Sequence, residues 1–113
     1  MGPHVWVSGT TATDPSGAVV SPGDVAGQTR QTLANIERAL GAAGCTLADV
    51  VRTRIYVTDI AQWEAVGRVH GEVFGKVLPA TSMVEVSALI DPEMLVEIEA
   101  EAYAPVPSDR KDD

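Results

Sequence analysis

Cysteine occurs once in the 113 residues, at Cys45, so an internal disulfide, a CxxC redox pair and a cysteine-based zinc site are all excluded. A lone thiol suits a reducing compartment, and the cytoplasm is the expected location. Histidine is nearly as scarce: His4 and His70 sit in no cluster with metal-ligand spacing, and no metal is expected. Aromatics make up only 4% of the chain, which leaves Val, Ile, Leu and Ala to build the core. Basic residues are outnumbered, eight Lys and Arg against sixteen Asp and Glu, and the resulting net charge of -8 repels phosphate backbones. Nucleic acid is therefore not an expected partner. No segment approaches the roughly 18 consecutive apolar residues of a membrane span, and no basic stretch leads into an apolar one near Met1. No membrane partner is expected either.

What the chain does have is a hydrophobic fraction of 45%, enough for a packed core and too much for a disordered polymer. Its length points to one small domain, placed at residues 1–104. The closing stretch 105–113, PVPSDRKDD, is proline-containing and charged, and is expected to be a poorly ordered tail.

Alternation and helical spacing divide the domain. HVWVSGT (4–10) reads as a strand that breaks at the turn formers Asp14, Pro15 and Gly17, with a short strand or extended segment at Ala18–Val20. Asp24 is placed to cap a long helix in which Val25, Leu33, Ile36 and Leu40 recur on one side and Gly44 ends the run. Thr46 and Asp49 have the spacing of a capping box. VVRTRIYV (50–57) follows as a strand, with Val51, Thr53, Ile55 and Val57 on one face and Arg52, Arg54 and Tyr56 on the other. A second helix begins near Thr58 or Asp59 and carries the stripe Ile60, Trp63, Val66, His70, Val73, Phe74. ATSMVEVSAL (80–89) resumes strand alternation, Asp91–Glu93 makes a turn, and the last strand sets Val96, Ile98, Ala100 and Ala102 against Glu97, Glu99, Glu101 and Tyr103. The predicted class is α+β, a mixed sheet with two helices stacked on one face.

Ser8-Gly9 at the end of the first strand, QTRQTLANIERALGAAG, VVRTRIYVTDI and above all PATSMVEVSALIDPEMLVEIEAEA together resemble the RidA/YjgF family, older labels for which include endoribonuclease L-PSP and translation inhibitor. The likeness runs from about His4 to Ala104. It implies a chorismate-mutase-like fold assembled as a homotrimer, with the sheets facing a central barrel, the helices outside and a small-molecule cleft between neighbouring subunits. The implied activity is hydrolysis of reactive enamines or imines to a carbonyl product and ammonia, with no cofactor. Small apolar residues on the first helix and the strand faces, more than one short subunit easily covers, independently favour self-association.

Departures from the family pattern bear on specificity. Where deaminase members carry an arginine that grips the substrate carboxylate, this chain has Thr81, which offers one hydroxyl donor and no charge. A charge-assisted pair worth about 1.5 to 3 kcal/mol is thereby lost. Met83 stands where the family often has cysteine, and Gly67 where deaminase members have asparagine; the loop before Pro79 is shorter, and the tyrosine-bearing lead-in strand that usually precedes GPHVWVSG is absent. Either this subgroup lacks that strand or the true start lies upstream. Glu97, the first glutamate of VEIEA, matches the family's acidic residue that orients or activates the hydrolytic water, and a carboxylate suits that work because iminium hydrolysis needs a base.

The candidate site is accordingly Glu97 as catalytic residue, with Thr81, Met83, Ser8, Gly9 and Arg54 lining the substrate cleft. Each has a plainer reading. Glu97 shares its face with Glu99 and Glu101, an ordinary solvated arrangement, and Arg54, like Arg52, is either a replacement cation or a partner in a salt bridge. His70 reads as a packing or interface histidine, Cys45 as an inert thiol, and Ser8 lacks the context of a nucleophile elbow. Trp6 and Trp63 read as core or interface fillers. Two functions follow: an imine or enamine deaminase of altered specificity, for which a neutral or differently charged imine is easier to accept than a 2-imino acid, or a non-catalytic small-molecule-binding or regulatory trimer using the same cleft. Endoribonuclease activity is disfavoured by the charge and by the lack of a paired His and Lys motif.

Overall fold

The computed structural model describes residues 2–105; the tail expected at 105–113 lies, from 106 onward, outside them. The elements are β1 (His4–Thr10), α1 (Val25–Ala42), a 3-10 turn at Leu47–Asp49, β2 (Val50–Val57), a 3-10 turn at Ile60–Gln62 leading into α2 (Trp63–Phe74), β3 (Ala80–Glu85) and β4 (Val96–Tyr103). The strands form one sheet in the order β1-β4-β2-β3. β4 is antiparallel to both β1 and β2, whereas β2 and β3 run parallel, so α2 is the crossover that a parallel pair requires. Both helices pack on one face, giving the α+β architecture expected.

The local signals act as their chemistry dictates. The Asp24 side chain accepts from Gly27 N at the start of α1, and the Thr46 backbone N–H donates to the Asp49 carboxylate at 2.8 Å. Leu33, Ile36 and Leu40 of α1 and Val66, Val69 and Phe74 of α2 are buried against Ile55, Val57, Val96 and Ile98 of the sheet. Each such side chain contributes about 1.5–3 kcal/mol through burial.

Four expectations need correction. The Ala18–Val20 strand is reduced to one bridge, Thr13 to Val19. β3 stops at Glu85 instead of reaching Leu89, because β2 ends at Val57 and supplies no further rungs after Val86 N–H donates to Val57 O. Val51 is exposed and Val50 is buried in its place: the β2–β4 register shifts between Val50 and Arg52, and a bulge moves a side chain to the other face. On α2 the buried stripe is Val66, Val69 and Phe74, while Ile60 lies in the preceding 3-10 turn and Trp63, like Trp6 on β1, is exposed and no part of the core.

Gln28 fastens the connection into β4. It is fully buried on α1; its Nε2 donates to the carbonyls of Glu93 (2.8 Å) and Ser21 (3.4 Å), and its Oε1 accepts from Leu95 N–H (2.8 Å). One side chain thus fixes the backbone two residues before Glu97.

Candidate active site

The sheet face turned away from the helices carries the charged chemistry. Arg52, Arg54 and Tyr56 of β2 stand directly opposite Glu101, Glu99 and Glu97 of β4. Their hydrogen bonds, however, run diagonally: Arg54 Nη1 donates to Glu101 Oε1 at 2.7 Å, and the Tyr56 hydroxyl donates to Glu99 Oε1 at 2.7 Å. Arg52 turns to the other neighbouring strand and donates to Ser82 Oγ at 2.8 Å. The one-rung lean leaves Glu97, at the end of the row, accepting no hydrogen bond among the described residues. These partners also fix protonation. The hydrogen bond to Glu99, with burial and the nearby carboxylates, raises the Tyr56 phenol above its ordinary value, and Glu101 raises the Arg54 guanidinium. Tyr56 therefore stays neutral and Arg54 charged at neutral pH.

Glu97 is half-buried and borders a pocket of about 380 Å³, whose sheet side is Tyr56, Glu97 and Glu99 and whose other wall includes Val86, Leu89 and Ile90. That wall exists because β3 ends early and the chain bends away. Gly9 completes the setting. It lies where the β1–β4 register shifts between Val7 and Thr10, and a Cβ built there would fall 2.2 Å from Glu97 Oε2. Only glycine lets the carboxylate lie against the β1 backbone. Ser8, exposed beside it, offers its carbonyl to Thr10 Oγ1 at 2.8 Å.

Thr81 and Met83 are elsewhere. They pair with Thr53 and Ile55, whose side chains point into the core, so both belong to the helix face of the sheet, opposite to Glu97. Met83 packs on the core. Thr81 Oγ1 donates to the Pro79 carbonyl at 3.2 Å and lies 2.8 Å from Thr53 Oγ1, which in turn lies 2.9 Å from His70 Nε2. A hydroxyl has one proton to give. With Thr81 donating to Pro79, Thr53 donates to Thr81 and His70 Nε2–H donates to Thr53. Burial lowers the His70 pKa, so the ring is neutral at pH 7. His70, Phe74, Leu78, Pro79 and Thr81 border a second, smaller pocket of about 150 Å³. Leu78 adopts a φ of 55° and is exposed as the chain turns tightly into Pro79.

The structure thus divides the sequence candidates into two groups. Glu97, Ser8 and Gly9 come together on the open face; Thr81 and Met83 come together at the β3 edge on the helix face. Arg54 is spent on Glu101. Sequence reasoning missed the pocket wall at Val86–Ile90 and the Thr53–His70 support of Thr81, although a threonine in the core register of β2 was a visible signal. Cys45 is buried beside Val5 and Ala104, away from both groups. Among the described residues no group of three or more His, Cys, Asp or Glu could hold a metal ion, and no helix is long and apolar enough to cross a membrane.

The endoribonuclease L-PSP family profile matches residues 1–104, nearly the whole chain. The chain belongs to this family, also called RidA/YjgF. A RutC family protein of Pyrococcus horikoshii is 39% identical over 102 residues, covering 90% of this chain and 80% of that protein. The 3-aminoacrylate deaminase RutC of Acinetobacter baylyi is 38% identical over 99 residues, 88% of this chain and 78% of the enzyme. Among solved structures, a YjgF/YER057c/UK114 family member from Mycobacterium tuberculosis is 60% identical and superposes with a TM-score of 0.83, covering 92% of this chain and 81% of that one. Two helices on a mixed four-stranded sheet are therefore this RidA/YjgF chain's version of a shared fold.

Proposed function

We propose that this chain is an imine or enamine deaminase working as a homotrimer, in clefts where Glu97, Ser8 and Gly9 of one copy face Thr81 and Met83 of the next. The observation that carries the reading is Glu97: of the three glutamates on its face it alone accepts no hydrogen bond from the described residues, and it borders a pocket. A carboxylate so placed can take a proton from water as the water oxygen adds to the imine carbon, and return it to the departing nitrogen. The reaction needs no cofactor, and its proposed setting is the cytoplasm. The separation of the two groups by the sheet supports assembly, since a single copy cannot bring them to one small molecule. Similarity to a 3-aminoacrylate deaminase supports the reaction class.

Replacement of the gripping arginine by Thr81 favours a second reading, a trimer that binds a small molecule in the same cleft without turnover. Endoribonuclease activity, the family label, is opposed by a face lined with glutamates and a net charge of -8. The test is ammonia release from imines generated in place, read together with mass by light scattering. Faster release than in buffer, by a particle of three chains, is the expected result. A ligand that raises thermal stability and is recovered chemically unchanged, with no imine turned over, would establish the second reading instead.

A further inference from the structure

The charge around the proposed cleft narrows its substrate. Resting on the deaminase reading, we infer that the cleft takes imines carrying no carboxylate, bound as the iminium cation. Among the described residues no Lys or Arg lines the pocket at Glu97, whose titratable lining is Glu97, Glu99 and the neutral Tyr56. Of the two β2 arginines on that face, Arg54 is paired with Glu101 at 2.7 Å, and Arg52, which donates to Ser82 at 2.8 Å on the other side of β2, lines neither pocket. The other half of the cleft is no better for an anion. Thr81 is tied through Thr53 to His70, which burial keeps neutral, and the pocket there is likewise free of Lys and Arg.

A substrate carboxylate in this setting would meet carboxylates on one side and uncharged hydroxyls on the other, with no cation among the described residues lining either pocket. A protonated imine meets Glu97 as a counterion at the carbon where water must add. The remaining lining, Val86, Leu89 and Ile90, is apolar and suits a hydrocarbon substituent. The step balances without a redox partner. The water oxygen bonds to the iminium carbon while the C=N π pair moves to nitrogen, and Glu97 takes the water proton. Glu97 then returns that proton to nitrogen; the C–N bond breaks as the hydroxyl oxygen forms C=O, and the hydroxyl proton leaves with the ammonium product. The reaction that must supply such substrates is the oxidation of primary amines rather than of amino acids.

A matched pair isolates the carboxylate. A flavin amine oxidase acting on phenethylamine and an amino-acid oxidase acting on phenylalanine yield imines that differ only in that group. Ammonia release is followed for the wild-type protein and for Thr81→Arg. The expected result is a kcat/KM at least about tenfold higher for the carboxylate-free imine, with the preference reduced or reversed in Thr81→Arg. Wild-type hydrolysis of the 2-imino acid at least as fast as that of the carboxylate-free imine, or a preference unchanged in Thr81→Arg, would overturn the inference and leave the deaminase reading in place. Inertness of both proteins toward both imines would overturn the reading beneath it.

Discussion

Glu97→Gln should lower the rate of imine hydrolysis by at least about 100-fold, the lower end of what a positioned general base supplies. The amide keeps the shape of the side chain and cannot take a proton from water. Because Glu97 accepts no hydrogen bond from the described residues, the substitution breaks none, and stability should stay within about 0.5 kcal/mol of wild type. Unchanged turnover in Glu97→Gln would remove the proposed role. Gly9→Ala offers the same test from the other side: its Cβ would come within 2.2 Å of the Glu97 carboxylate oxygen, and the flexible glutamate must move. Loss of rate with a retained fold is expected there too. Glu99→Gln makes the contrast, since its carboxylate is already engaged by Tyr56 and its loss should cost far less.

Gln28→Ala should destabilise the fold by about 2–4 kcal/mol, measured as a lower urea midpoint with little change in slope. The cause is not lost volume alone. Removal of the amide strands the Leu95 N–H and the Glu93 C=O, both of which rely on it, in a part-buried setting. Gln28→Glu should also be destabilising, because it keeps an acceptor for Leu95 but loses the donor to Glu93 and buries a charge. A Gln28→Ala protein as stable as wild type would mean that water replaces the amide without cost.

Much of this was legible in the sequence because the two faces of β4 differ so sharply. Val96, Ile98, Ala100 and Ala102 against three glutamates permit only one orientation on a core, and the caps at Asp24 and Asp49 announced their elements through the spacing of single side chains. Other features depend on pairing between distant segments. That Glu97 is the unpaired glutamate follows from the diagonal lean of Arg54 and Tyr56 across strands far apart in the chain, which alternation within either strand does not contain. The exposure of Val51 follows from a bulge against β4, and the early end of β3 from the length of β2. The opposite placement of Thr81 and Glu97 was hidden for a related reason: alternation sorts residues within a strand, and only the register of β2 with both neighbours gives β3 and β4 a common reference.

That opposite placement makes the composite cleft the central claim, and mixing of complementary variants tests it most directly. Glu97→Gln keeps an intact Thr81, and Thr81→Trp, which fills the second half of the cleft, keeps an intact Glu97; each alone should be inactive. Co-refolded in equal amounts into random trimers, they should recover about a quarter of wild-type ammonia release, because one ordered pairing in four joins two intact halves. Activity that stays at the level of the separate variants, in mixtures shown to contain both chains, would contradict a site shared between copies.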